Sequence, residues 1–190
     1  MASTRPFEQL TGTLAVYLAP VGEAEPVVNV SPAGNWILVG ATDGEQSVQN
    51  AGSLTYFHDN DHQGPVKAVR PEEGPVVRFG LVGLTLEHYS RILDDVANVV
   101  SAAGPPATKS MPLKRGAVPN EYSLLFKGSA ASPYGAFPGQ YWFPRGVFDG
   151  EPQPTFAKDG RPMLECEFHA LEDDTQSDLE RLGHLKVQTA

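Results

Sequence analysis

At 190 residues the chain is long enough for one domain, or one domain carrying a sizeable loop insertion, that buries roughly 70% of its unfolded surface. Its 14 Lys and Arg against 23 Asp and Glu leave a net charge of −9, which argues against adhesion to phosphate backbones or anionic membranes, since both need clustered cations. Its 41% hydrophobic content suits a packed core, while 19 Gly and 17 Pro punctuate the chain too often for a helical bundle and fit many short strands and turns.

The single cysteine, Cys166, forbids an internal disulfide and any cysteine-based zinc cluster, so synthesis in a reducing cytoplasm is expected. No apolar run approaches the ~18 residues of a membrane-spanning helix, and no membrane insertion is expected. Leu14 to Pro20 is the one stretch that mimics a signal peptide, but its alternation of small and large residues reads better as a strand.

In chain order, residues 13–19 place Leu14, Val16 and Leu18 on one face and Thr13, Ala15 and Tyr17 on the other, the period of a strand. A turn-rich connector leads to a short apolar run, Trp36 to Gly40, closed by Thr42-Asp43-Gly44. Residues 45–58 predict a long strand with Glu45, Ser47, Gln49, Ser53 and Thr55 on a wet face and Val48, Leu54 and Tyr56 on a buried one. After the polar cluster 59–65, extended structure is expected at Val66 to Arg70 and again at Pro75 to Leu84. The period then changes: Leu86, Tyr89, Leu93, Val96 and Val100 recur at spacings of three and four, predicting one amphipathic helix over about residues 85–100 with Thr85 as its N-cap.

Residues 104–117 read as an exposed connection. Strands resume at Val118 to Lys127 and Gln140 to Asp149, where Pro144 implies a bulge or an edge position. Asp159-Gly160 predicts a hairpin whose second arm sets Leu164, Cys166, Phe168 and Ala170 inward and Glu165, Glu167 and His169 outward. The last nineteen residues lose periodicity and are expected to fray or to dock on a neighbour.

Enzymatic signatures are weak. His58-Asp59-Asn60-Asp61-His62 is dense in ligand-type side chains, but Gly64-Pro65 argues for a loop, and a calcium loop counted from Asp59 puts Arg70 where the closing glutamate belongs. Cys166 and His169 stand three apart on a strand and so point to opposite faces. Residues 104–110 end like a phosphate loop but carry two prolines and lack the glycine before the lysine. The pairs Glu72-Glu73 and Asp94-Asp95 are adjacent rather than facing. Neither an enzyme nor a cofactor is expected.

With chemistry set aside, the order of elements carries the reading. Pro65-Val66-Lys67-Ala68-Val69-Arg70 and Val76-Val77-Arg78-Phe79 run into Leu84-Thr85-Leu86-Glu87, followed by Tyr122 to Phe126, Gln140-Tyr141-Trp142-Phe143-Pro144-Arg145 and Leu164 to Leu171. This ordered set, over about residues 12–172, resembles the major tail tube protein of long-tailed bacteriophages. The resemblance implies a mainly β fold, a sandwich or barrel with one flanking helix, assembled as stacked hexameric rings. It implies a virion location, synthesis in the host bacterial cytoplasm, and as partners a tape-measure protein, tail terminator and tail-tip proteins, with double-stranded DNA passing through at ejection. A loop near 57–65, with Asp59, Asn60, Asp61, His62 and Gln63, would contact the adjacent ring. Glu45, Ser47, Gln49, Ser53 and Thr55, with nearby Glu73 and Arg78, are the lumen candidates, although the same face fits outer solvent equally. A tailocin or secretion-apparatus tube and a β-sandwich decoration or adhesion module remain open beside this reading.

Overall fold

The computed structural model describes residues 12–93, 99–113, 117–155 and 162–189. The fold is mainly β, with one short helix and an antiparallel sheet. In order come β1 (Ala15–Pro20), β2 (Ile37–Leu38), β3 (Thr42–Phe57), β4 (Lys67–Leu81), α1 (Leu86–Ile92), β5 (Val100–Ala102), β6 (Thr108–Ser110), β7 (Tyr122–Gly128), β8 (Gly139–Asp149), β9 (Pro154–Thr155), β10 (Met163–Ala170) and β11 (His184–Val187). The main sheet follows the path β2-β1-β7-β8-β10-β4-β3, with β11 on β8 and β9 on β10, while β5 and β6 form a separate ribbon.

Alternation decides the inner face. Val16 and Leu18 of β1, Val77, Phe79 and Leu81 of β4, Leu124 and Phe126 of β7, and Leu164, Cys166 and Phe168 of β10 enter one buried cluster. Phe79 and Phe126 lie on strands three steps apart in the path, yet their rings meet edge-on at 5.6 Å. Residues 39–41 alone separate β2 from β3, so the two ends of the path are consecutive in the chain. Gly40 takes a positive φ of 134° at that crossing, a conformation L side chains resist. Across the same junction Gln46 bonds the Leu14 backbone twice, its amide donating to the carbonyl (2.8 Å) and its carbonyl accepting from the N–H (2.9 Å).

Several local expectations hold. Thr85 caps α1, its hydroxyl accepting from the His88 N–H at 3.2 Å. The predicted irregularity at Pro144 is present: the β7–β8 register slips between Tyr122 and Leu124, and the Ser123 hydroxyl donates to the Pro144 carbonyl at 2.5 Å. Cys166 is core and His169 lies on the other face, as alternation requires.

Other expectations need correction. The helix is not sixteen residues long: its last residue is Ile92, Leu93 leaves helical geometry at φ −87°, ψ 8°, and Val100 belongs to a strand. Residues 94–98 themselves lie outside the described residues. Extended structure does not break at residues 71–74, because β4 runs unbroken from Lys67 to Leu81. The described C-terminal residues do not fray, since β11 pairs with β8 of the same chain. The Asp159-Gly160 turn lies outside the described residues, but the strands on either side of it pair, Met163 with Thr155 and Leu164 with Pro154.

Candidate assembly surface

The β3–β4 hairpin has two unlike halves. Near the body β4 has a neighbour on each side, pairing with β10 from Val76 to Leu81 and with β3 throughout. From Pro75 back to Lys67 only β3 accompanies it among the described residues, so a two-stranded ribbon extends past the sheet. At ~3.3 Å per residue, Asn50 to Phe57 reaches about 25 Å. Pro71 and Pro75, which lack an N–H, are tolerated because no strand pairs with this half of β4 on its other side. An extra residue around Arg70-Pro71 adds a bulge.

The ribbon exposes what the sequence expected it to bury. Val48 packs against the core, but farther out on the same face Leu54 is 49% and Tyr56 54% exposed, and Phe57, Val66 and Val69 are exposed as well. They lie beyond Val76, where β10 ends its pairing with β4, and Leu54 stays half exposed although it lines a cavity with Leu179 and Leu182 of the C-terminal segment. At the far end, residues 58–66 connect the strands, with the Val66 N–H closing on the Phe57 carbonyl at 2.9 Å. Asp59 organises this tip by accepting from the N–H groups of Asp61 (3.2 Å) and His62 (2.9 Å), while the His62 ring Nδ1 lies 2.8 Å from its carboxylate. Asp59, Asn60, Asp61, His62 and Gln63 are all exposed.

The lumen candidates separate. Ser47 stands opposite Arg78, Arg78 opposite Glu167, and Glu167 opposite Asp149, so one polar row crosses β3, β4, β10 and β8 on a single face. Arg78 fixes the row, donating to Gln49 Oε1 at 2.7 Å and forking onto Glu167 at 2.9 and 3.0 Å. The Arg78 guanidinium, with help from His169, holds the Glu167 carboxyl below the usual carboxylate range. Glu45 sits beside this row in a bulge of β3, and Ser53 and Thr55 carry the same parity outward along the ribbon. Glu73 does not share the face: it stands opposite Gly52, on the side of Val48, and pairs with Arg70 at 3.4 Å. The sequence reading missed Asp149, Glu167 and His169 as members of the row, although the outward parity of β10 already marked two of them.

Among the described residues no group of three or more His, Cys, Asp or Glu side chains is arranged to hold a metal ion, and no helix is long and apolar enough to cross a membrane. Among the described residues the surface offers a projecting ribbon with apolar side chains and unpaired edges, beside a polar sheet face. No protein-family model matches this chain, and no curated protein is similar to it.

Proposed function

We propose that this chain is the protomer of a phage tail tube, forming hexameric rings that stack into a hollow tube through which double-stranded DNA leaves the virion. The observation that carries the reading is the ribbon of residues 50–57 and 67–75. A two-stranded hairpin on its own is marginal in water, and this one carries Leu54, Tyr56, Phe57, Val66 and Val69 exposed. Such an element is completed by other copies of the chain, whose strands extend it and whose surfaces cover its apolar side chains.

Further features support the reading. Strand-path ends that are consecutive in the chain, and core rings that meet across the sheet, favour a closed sandwich or barrel as the body of each protomer. The polar row through Ser47, Arg78, Glu167 and Asp149 suits a water-filled channel wall, and a net charge of −9 per copy suits a conduit that must not hold phosphates. On this reading a tape-measure protein fills the tube before ejection, terminator and tip proteins close its ends, and the exposed tip around Asp59 and His62 meets the next ring.

Negative-stain microscopy of the purified chain tests the proposal. Rings or tubes are expected, and a double change of Leu54→Ser and Tyr56→Ser should abolish them while leaving the circular-dichroism spectrum and melting curve of the monomer unchanged, because both side chains are half exposed. Monodisperse small particles from the unaltered chain at every concentration and salt tried would overturn it.

A further inference from the structure

We propose that the C-terminal strand β11 is a latch that opens as a unit while the rest of the sheet stays folded, and that the Glu25 carboxylate holds it shut. The inference does not depend on the tube reading. It begins from how little apolar surface secures the strand. Four residue pairs join β11 to β8, from His184↔Trp142 to Val187↔Gly139. Leu185 remains 42% exposed, Lys186 is exposed, and His184 and Val187 are half-buried. Strands β7 and β10, by contrast, bury whole rows of Leu and Phe.

Charge takes the place of burial. Glu25, in the loop after β1, accepts from Gln140 Nε2 of β8 at 2.7 Å, from His184 Nε2 of β11 at 3.0 Å, and from Lys186 Nζ of β11. A single carboxylate thus ties the strand to its partner and to a segment about 160 positions earlier in the chain. Burial alone would push this carboxyl up, but the hydrogen bonds from Lys186, Gln140 and His184 outweigh it and hold it below the ordinary carboxylate range.

The seam is also where the polar accounting fails. Four buried side-chain atoms of the described residues have no hydrogen-bond partner in the protein: Gln140 Oε1, Trp142 Nε1, Arg181 Nε and His184 Nδ1. All four lie on β8 or on the C-terminal segment. The nearest carboxylate to His184 Nδ1, that of Glu180, stands 3.7 Å away. None of the four therefore adds a protein hydrogen bond that holds the seam shut.

The moving part is defined by its own contacts. Asp173 closes the turn that precedes β11, accepting from the N–H and hydroxyl of Thr175 at 3.0 and 2.7 Å and from Gln176 at 3.3 Å, while its own N–H donates to the Arg181 carbonyl at 3.1 Å. Leu171, whose N–H donates to the Arg145 carbonyl at 2.9 Å, marks the fixed end. Opening uncovers Trp142, whose ring packs 5.4 Å from the His184 imidazole and which shares a buried cluster with Ala19, Trp36 and Leu125.

Hydrogen exchange on the purified full chain tests the latch. In the unaltered protein the amides of residues 184–187 should exchange faster than those of Leu124 to Phe126, and equal protection would overturn the proposal. Glu25→Gln keeps the shape and removes the charge; it should speed exchange at 184–187 by about 10- to 100-fold, the scale of one charge-assisted hydrogen bond, and leave β4, β7 and β10 unchanged. No change at 184–187, or the same acceleration in all strands, contradicts it. If Glu25→Gln does not fold, Lys186→Met, which removes a half-exposed partner of the same carboxylate, is held to the same two outcomes.

Discussion

Cys166 shows how position on a strand decides chemistry. It stands on the inward parity of β10 between Leu164 and Phe168, and burial pushes its thiol up to about 12. A thiol that holds its proton more tightly in the folded chain contributes its full share of stability below an unfolded value near 9, and loses it as pH rises from there towards 12. Cys166→Ala should therefore flatten the alkaline decline in stability. Urea midpoints of the two proteins at pH 8 and pH 10 measure this, and parallel declines would show that the thiol does not titrate in this way. His169, three residues on, lies on the polar face within 3.0 Å of Glu167, so it does not share a face with the one cysteine of the chain.

On the proposed reading the hairpin β3–β4 is the element on which assembly turns. Its inner half shares the core through Val48, Val77 and Phe79, and among the described residues its outer half contributes no side chain to that core cluster. The tip is internally organised, since Asp59 accepts hydrogen bonds from Asp61 and His62 of its own turn. Deleting residues 59–64 should therefore leave a protomer whose stability changes by no more than about 0.5 kcal/mol but whose rings cannot stack. Thermal denaturation and electron microscopy of the same preparation decide it, and tubes of normal length from the deletion would remove the tip from the ring-to-ring contact. Helix α1 is a minor element by comparison: seven residues capped by Thr85, with Ser90 and Ile92 buried.

On the proposed reading the acidic balance of the whole molecule becomes a property of the tube. Repeated round a ring and along its stack, −9 per chain would build a negative field that counterions screen over about 10 Å in 0.1 M salt. Duplex DNA would pass such a wall without exchanging its counterions for protein cations, whereas a basic wall would bind and stall it. Replacing Glu45 and Gln49 by Lys adds cations beside the Arg78 row. If this face lines the channel, tubes that still assemble should eject DNA more slowly in low salt and recover at high salt. An unchanged rate would place the row on the outer surface.

What the sequence determined by itself was the set of strands whose two faces differ. In β1 and β10 large apolar residues alternate with small or polar ones, and that period survives any tertiary arrangement because a one-residue slip would turn the core outward. The N-cap at Thr85 and the bulge at Pro144 were legible too, since each follows from the chemistry of one side chain and its neighbours. Only the tertiary structure decided where each pattern is used. Leu54 and Tyr56 read as buried because they continue the parity of Val48, but they sit on the part of the hairpin that runs past the β10–β4 pairing and are half exposed. Glu73, like Arg78, read as lying near the wet face of the hairpin, yet the register puts it on the opposite face. The polar row joins residues 47, 78, 149 and 167, and no spacing along the chain encodes contacts between strands so far apart. The C-terminal strand was invisible for a related reason: it is held by Glu25, about 160 residues away, rather than by an apolar period of its own.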